Sequence, residues 1–222
     1  MSIAARNALI ALLITIVLVG TVAYAMNYLN QARITELSTV EDQLSIDILS
    51  LDTQFSLLEA APCDSNASST TLISELANMG DRLSYAENQL GSDNAQVIRL
   101  KEKYSLLEIR DYLITKELAA ACGGVKPATV LYFYSNEGDC ADCDNAGYAL
   151  SYLRNTYPTL RVYSFDYNLD LGALKTFIAI TKVNRDLPAF VINGKQYYGF
   201  TSLADFEKQF PKGALSTSTP KL

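Results

Sequence analysis

Two cysteines three positions apart, Cys140 and Cys143, are the residues whose type and spacing could do chemistry. A thiolate can act as a nucleophile or a metal ligand, and two thiols can close into a disulfide. A structural disulfide across so short a loop stabilises little by chain entropy. A zinc site needs further thiolate or imidazole ligands, and only Cys63 and Cys122 remain to supply them. The sequence therefore favours a redox couple, with a metal-binding or metallochaperone role as an alternative.

The chain is acidic and lacks histidine. Its 24 Asp and Glu residues outnumber 18 Lys and Arg residues, which gives a formal net charge of −6. Nucleic-acid binding needs a basic surface, so we expect no nucleic-acid partner. The lack of imidazole excludes His-based acid–base catalysis, Cys–His nucleophiles and the usual His-containing zinc sites. No cofactor and no bound metal are expected.

Residues 127–211 show a pattern of alternating strands and helices. The run TVLYFYS is rich in β-branched and aromatic residues, as buried strands are, and the cysteine pair follows it closely. Asn193-Gly194 predicts a tight hairpin turn between the last two strands. The predicted order is βαβαββα, with strands at 129–135, 160–168, 189–193 and 195–200 and helices at 143–157, 171–183 and 202–210.

These features resemble the thioredoxin-like family in its minimal, glutaredoxin-sized form. The resemblance covers about 127–211 and includes CxxC after the first strand, Leu187-Pro188 before the third strand and Gly199 near the exit of the hairpin. It implies that Cys140 is the exposed nucleophile at a helix N-terminus and that Cys143 beneath it is the resolving thiol. It also implies that Pro188 is cis and faces the cysteines, and that the main chain of Leu187 binds the substrate chain.

The cysteine motif departs from that family in its neighbours. Thioredoxins carry Trp-Cys-Gly-Pro-Cys, whereas this chain has Asp-Cys-Ala-Asp-Cys at 139–143, and TVLYFYS lacks the buried carboxylate of thioredoxins. Four acids and no base lie near the pair in the sequence: Glu137, Asp139, Asp142 and Asp144. Negative charge destabilises a thiolate, so we expect a reductase or isomerase rather than a strong oxidase.

The N-terminal part contains the apolar, uncharged stretch 8–26. Its length predicts a transmembrane helix with a cytoplasmic N-terminus and an extracytoplasmic body. A cleaved signal peptide is the alternative, because Ala23-Tyr24-Ala25 fits a cleavage site. Both interpretations export the rest of the chain.

Residues 30–123 show apolar residues at alternating three- and four-residue steps, which predicts three stem helices. Short connections make such helices antiparallel neighbours, as a helical hairpin or an up-down-up bundle. Such a stem would serve as a spacer and as a surface for homo-oligomerisation. Cys63 and Cys122 would then lie at the same pole and form a structural disulfide.

The sequence thus predicts an anchor at 1–29, a helical stem at 30–123, an α/β thioredoxin-like domain at 124–211 and a flexible tail at 212–222. The function that fits is a membrane-anchored, extracytoplasmic thiol:disulfide oxidoreductase that acts on protein thiols and disulfides with a separate electron partner. A binding or scaffold module of the same fold, whose redox activity is incidental, is the other alternative.

Overall fold

The structure is a computed structural model of the chain and describes residues 3–60, 68–122, 127–157, 159–211, 213 and 215. Cys63 and nearly all of the predicted tail lie outside the described residues. The chain divides into two compact units, Met1–Leu49 and Ser50–Leu222. In its described part the first unit is helical. The second unit contains the cysteine pair and all four strands.

The first helix, α1 (Ile3–Ala60), joins two elements that the sequence predicted as separate. Neither proline nor glycine occurs between Gly20 and Pro62, so no residue type interrupts the helical hydrogen bonding there. The predicted anchor and the first stem helix are therefore one continuous helix.

The prediction of a membrane anchor is wrong. A spanning helix needs about 20 consecutive, predominantly apolar residues. Among the residues that the structure describes, no helix combines that length with that apolar content. The transmembrane helix in the predicted fold class is therefore wrong, and so is the predicted single-pass membrane localisation with an extracytoplasmic body.

The described residues form one mixed sheet of four strands. The strands are β1 (Thr129–Tyr134), β2 (Arg161–Asp166), β3 (Ala189–Ile192) and β4 (Lys195–Tyr198), in the spatial order β2-β1-β3-β4. β1 and β2 are parallel, whereas β3 is antiparallel to both β1 and β4. The helices that follow β1, β2 and β4 are α4 (Cys143–Thr156), α5 (Gly172–Thr181) and α6 (Leu203–Glu207).

The sheet has a hydrophobic core on each face, because successive side chains of a strand point to opposite sides. Val130 and Tyr132 belong to the cluster that contains residues of α4 and α6. Leu131 and Phe133 belong to the cluster that contains residues of α5. β1 is thus buried on both faces, which fixes the position of the loop that leaves it.

Two further helices, α2 (Ser68–Leu90) and α3 (Ala95–Ala121), belong to the same unit as the sheet. Asn94 caps α3 by accepting the main-chain N–H of Gln96. Tyr112 on α3 makes edge-to-face ring contacts with Tyr163 of β2 and Phe177 of α5. α3 therefore packs directly against the sheet.

Candidate functional site

Cys140 and Cys143 form a disulfide at the end of the loop that follows β1, with their Cα atoms 5.5 Å apart. Cys143 is the first residue of α4, and Cys140 lies in the turn before the helix. Cys140 is half-buried, whereas only 5% of Cys143 is exposed. The two sulfur-bearing residues therefore differ in their access to another molecule, and Cys140 is the more accessible.

Tyr132, in the middle of β1, contacts the main chain of Cys143. Its hydroxyl donates a 2.6 Å hydrogen bond to the main-chain carbonyl of Cys143. Burial raises the pKa of Tyr132, so the hydroxyl keeps the proton that it donates. The Tyr132 ring stacks between Tyr134 and Phe190. The start of α4 is thus tied to the central strand.

The peptide bond Leu187-Pro188 is cis and directly precedes β3. Ala189 is paired with Phe133, next to the last residue of β1, so the cis bond lies at the end of the sheet where the cysteine loop begins. The Pro188 carbonyl accepts the N–H of Gly199 at 2.8 Å. The main-chain N–H and carbonyl of Leu187 have no hydrogen-bond partner in the part of the chain that the structure describes.

A basic residue reaches the cysteine loop from the segment before the cis bond. One guanidinium nitrogen of Arg185 lies 3.2 Å from a carboxylate oxygen of Glu137 and 3.2 Å from one of Asp139. The Ser135 hydroxyl and Arg185 together lower the pKa of the Asp139 carboxyl. No basic residue lies near Glu137 and Asp139 in the sequence, but Arg185 lies beside both of them in the structure. Asp142 and Asp144 have no ion pair within the described residues.

A row of buried polar side chains on α3 was not predicted from the sequence. Lys101, Glu108 and Asp111 are each less than 5% exposed. Lys101 forms ion pairs with Glu87 and, at 2.9 Å, with Asp166. Asp111 pairs with Arg161 at 3.0 Å and accepts the Tyr163 hydroxyl at 2.7 Å. The spacing of seven and three residues between these positions fits one face of a helix, but it does not reveal a buried partner.

Glu108 is the most deeply buried of these groups. Both of its oxygens accept the main-chain N–H of Ser164, and the Tyr104 hydroxyl also hydrogen-bonds it. Desolvation raises the pKa of Glu108 well above its usual value. Glu108 thus satisfies a main-chain group at the outer edge of β2, where no further strand pairs. Lys101 and Asp111 contact side chains of β2 instead.

A cavity of about 470 Å³ lies between α2, α3 and α4 and borders Cys143. Tyr104, Tyr132 and Tyr134 form part of its wall. Gly80 of α2 leaves room for Tyr104, since a Cβ atom at Gly80 would stand 2.7 Å from the Tyr104 hydroxyl oxygen. Cys143 is therefore buried but borders this space.

The remaining predicted site residues are only partly described. Cys122 caps the C-terminus of α3 and is disulfide-bonded. Cys63 lies outside the described residues, so its pairing with Cys122 stays a prediction. Within the described residues no group of three or more Cys, Asp or Glu side chains is placed to hold a metal ion.

The chain has no match among protein-family models, curated proteins or solved structures.

Proposed function

We propose that this protein is a thiol:disulfide oxidoreductase that acts on protein substrates through Cys140 and Cys143. One observation carries the proposal: a closed disulfide joins a more accessible cysteine to a buried one at the start of a helix, at the sheet end that also bears the cis Leu187-Pro188 bond. The resemblance to the thioredoxin-like family, argued from the motifs, supports the same proposal.

The difference in exposure supports the proposed order of attack. In the reduced protein the Cys140 thiolate attacks a substrate disulfide, forms a mixed disulfide and releases one substrate sulfur as a thiolate. Cys143 then loses its proton and attacks the Cys140 sulfur. The Cys140–Cys143 bond closes, the second substrate sulfur leaves as a thiolate, and two electrons have passed to the substrate. A buried Cys143 is suited to this second step because only a bond formed at Cys140 is within its reach.

The main chain of Leu187 would hold the substrate polypeptide beside Cys140. Its N–H and carbonyl have no partner among the described residues, and a polypeptide can pair with such groups as an added strand. The adjacent carbonyl of Pro188 is already occupied by Gly199, so the pairing would be confined to Leu187. This arrangement favours an extended polypeptide over a compact small molecule.

Trapping of the mixed disulfide tests the proposal. Cys143→Ser removes the resolving thiol, so it should accumulate disulfide-linked protein partners through Cys140. Cys140→Ser is the matched control and should accumulate almost none. A non-reducing gel followed by mass mapping of the linked peptides gives the result. Equal trapping by the two variants would contradict the assigned roles, and no trapping by either would favour a binding module whose disulfide is incidental.

A further inference from the structure

Arg185 connects the two loops that form the proposed site. It lies three residues before Pro188, and its guanidinium contacts Glu137 and Asp139 on the cysteine loop, each at 3.2 Å. Asp139 directly precedes Cys140. A single side chain thus contacts the residue beside the proposed nucleophile and belongs to the segment that presents Leu187.

The Asp139 carboxylate has a second partner besides Arg185, the Ser135 hydroxyl. The buried Ser135 hydroxyl hydrogen-bonds the Asp139 carboxylate. Ser135 in turn accepts the N–H of Glu137 at 3.1 Å and the side-chain amide of Asn168 at 2.7 Å. Exposed ion pairs usually contribute little, because two mobile side chains must be ordered to form them. Here the Asp139 carboxylate also interacts with Ser135, so Arg185 contacts an acceptor that has a second partner.

The charge of Arg185 matters most when the cysteines are reduced. A thiolate on Cys140 would add a negative charge beside Glu137 and Asp139, and like charges disfavour ionisation. Arg185 places a positive charge against both carboxylates and offsets their effect on the thiolate. A single charge near an exposed group changes its ionisation constant by roughly two- to fivefold.

We propose that Arg185 is a positioning residue for thiol–disulfide exchange: it ties the cysteine loop to the cis-proline segment and favours the Cys140 thiolate. This inference rests on the proposed function for its role in turnover. Its effect on the Cys140 thiol can be measured whether or not the protein acts on protein substrates.

The test uses the full chain with Arg185→Gln and Arg185→Lys. Arg185→Gln should raise the pKa of the Cys140 thiol, which corresponds to a roughly two- to fivefold lower ionisation constant. At a pH above that pKa, it should also shift the equilibrium with glutathione toward the disulfide by a similar factor. The pKa is read from the pH dependence of alkylation at Cys140, located by mass mapping. Arg185→Lys keeps the charge but not the two-carboxylate geometry, so it should preserve the pKa better than it preserves the rate of exchange with protein substrates.

Two controls separate charge from structure. Lys208→Gln removes one positive charge at the C-terminal end of α6 and should leave the Cys140 pKa unchanged. Glu137→Gln combined with Asp139→Asn in the Arg185→Gln background should restore the pKa, because the acids that Arg185 offsets are gone. A folded Arg185→Gln protein with unchanged thiol pKa and glutathione equilibrium would overturn the inference. If the Arg185 effect appears but Cys143→Ser traps no partner, the proposed function fails and the electrostatic role stands.

Discussion

The carboxylate of Glu108 accepts the main-chain N–H of Ser164 with both oxygens, at 3.1 and 3.0 Å. Ser164 lies on β2, the edge strand of the sheet, so its outward N–H has no neighbouring strand to pair with. An unpaired edge is a site of unwanted strand association. Glu108 satisfies this group from α3, and the helix thereby covers the edge. The contact links α3 to the sheet through a residue with a strongly raised pKa.

The first prediction concerns the pH dependence of stability. Because burial raises the folded-state pKa of Glu108 above its usual value of 4.5, the folded chain binds more protons than the unfolded chain between the two pKa values. The stability contribution is complete below the unfolded pKa and is lost as the pH rises through the folded pKa. Glu108→Gln should lose this dependence, which has a limiting slope of about 1.4 kcal/mol per pH unit.

Urea unfolding at several pH values measures the effect as the difference between the two proteins. Glu117→Gln, at an exposed position of the same helix, is the control and should follow the unmodified chain. A difference between Glu108→Gln and the unmodified chain that does not vary with pH would contradict the raised pKa.

The second prediction compares two glycines in helices. Gly80→Ala would place a Cβ atom 2.7 Å from the hydroxyl oxygen of Tyr104, which is buried and hydrogen-bonded to Glu108. Overpacking should outweigh the gain in helix propensity and destabilise the protein by about 1–2 kcal/mol. Gly147→Ala in α4 meets no atom within 4 Å, so it should stabilise by about 0.5–1 kcal/mol. Denaturant unfolding that gives both substitutions the same sign would be inconsistent with this packing.

The third prediction concerns the hydrogen bond by which Tyr132 of β1 contacts the first residue of α4. Tyr132→Phe removes the hydrogen bond to the Cys143 carbonyl and should lower the free energy of unfolding by about 1 kcal/mol. Tyr134→Phe is the matched control, since the Tyr134 hydroxyl has no hydrogen-bond partner among the described residues. The two variants should therefore separate in a denaturant titration. Equal losses would mean that the Tyr132 hydroxyl does not secure Cys143.

The fourth prediction concerns the reduction potential of the Cys140–Cys143 pair. Arg185 offsets Glu137 and Asp139, but Asp142 and Asp144 flank Cys143 without an ion pair among the described residues. The remaining negative charge disfavours the thiolate, so the potential should lie nearer to about −270 mV, as in thioredoxin, than to about −120 mV, as in a strong oxidant. A titration in glutathione buffers measures it. A value above roughly −170 mV would show that the carboxylates do not control the couple.

The fifth prediction concerns Cys122, which is disulfide-bonded at the end of α3. If Cys63 is its partner, as the helix order predicts, the bridge closes a loop of about 60 residues and stabilises the protein by roughly 4 kcal/mol in the chain-entropy model. Mass mapping of the non-reduced protein should recover the two cysteines in one linked peptide. Free thiols at both positions would contradict the pairing and the helix order behind it.

The apolar segment at 8–26 does not form the separate membrane anchor that its local sequence predicted. Its lack of charge predicted a separate anchor, whereas the structure has one helix from Ile3 to Ala60 and, within the described residues, no helix suited to crossing a membrane. A hydropathy pattern describes a segment by its own residues. It does not reveal how far the helix continues into polar sequence, which depends on the absence of a helix-breaking residue before Pro62.

The sequence by itself determined what neighbouring residues control. The β-branched and aromatic run at 129–134 forms β1, and Asn193-Gly194 forms a turn with positive φ at both residues, because side-chain sterics act over a few positions. The spacing of Cys140 and Cys143 likewise allows a disulfide without any distant contact. Only the tertiary structure decided that Arg185 reaches Asp139, 46 residues away, and that Glu108 reaches Ser164, 56 residues away. Such contacts depend on which helix covers which strand, and no local periodicity encodes the partner of a polar side chain.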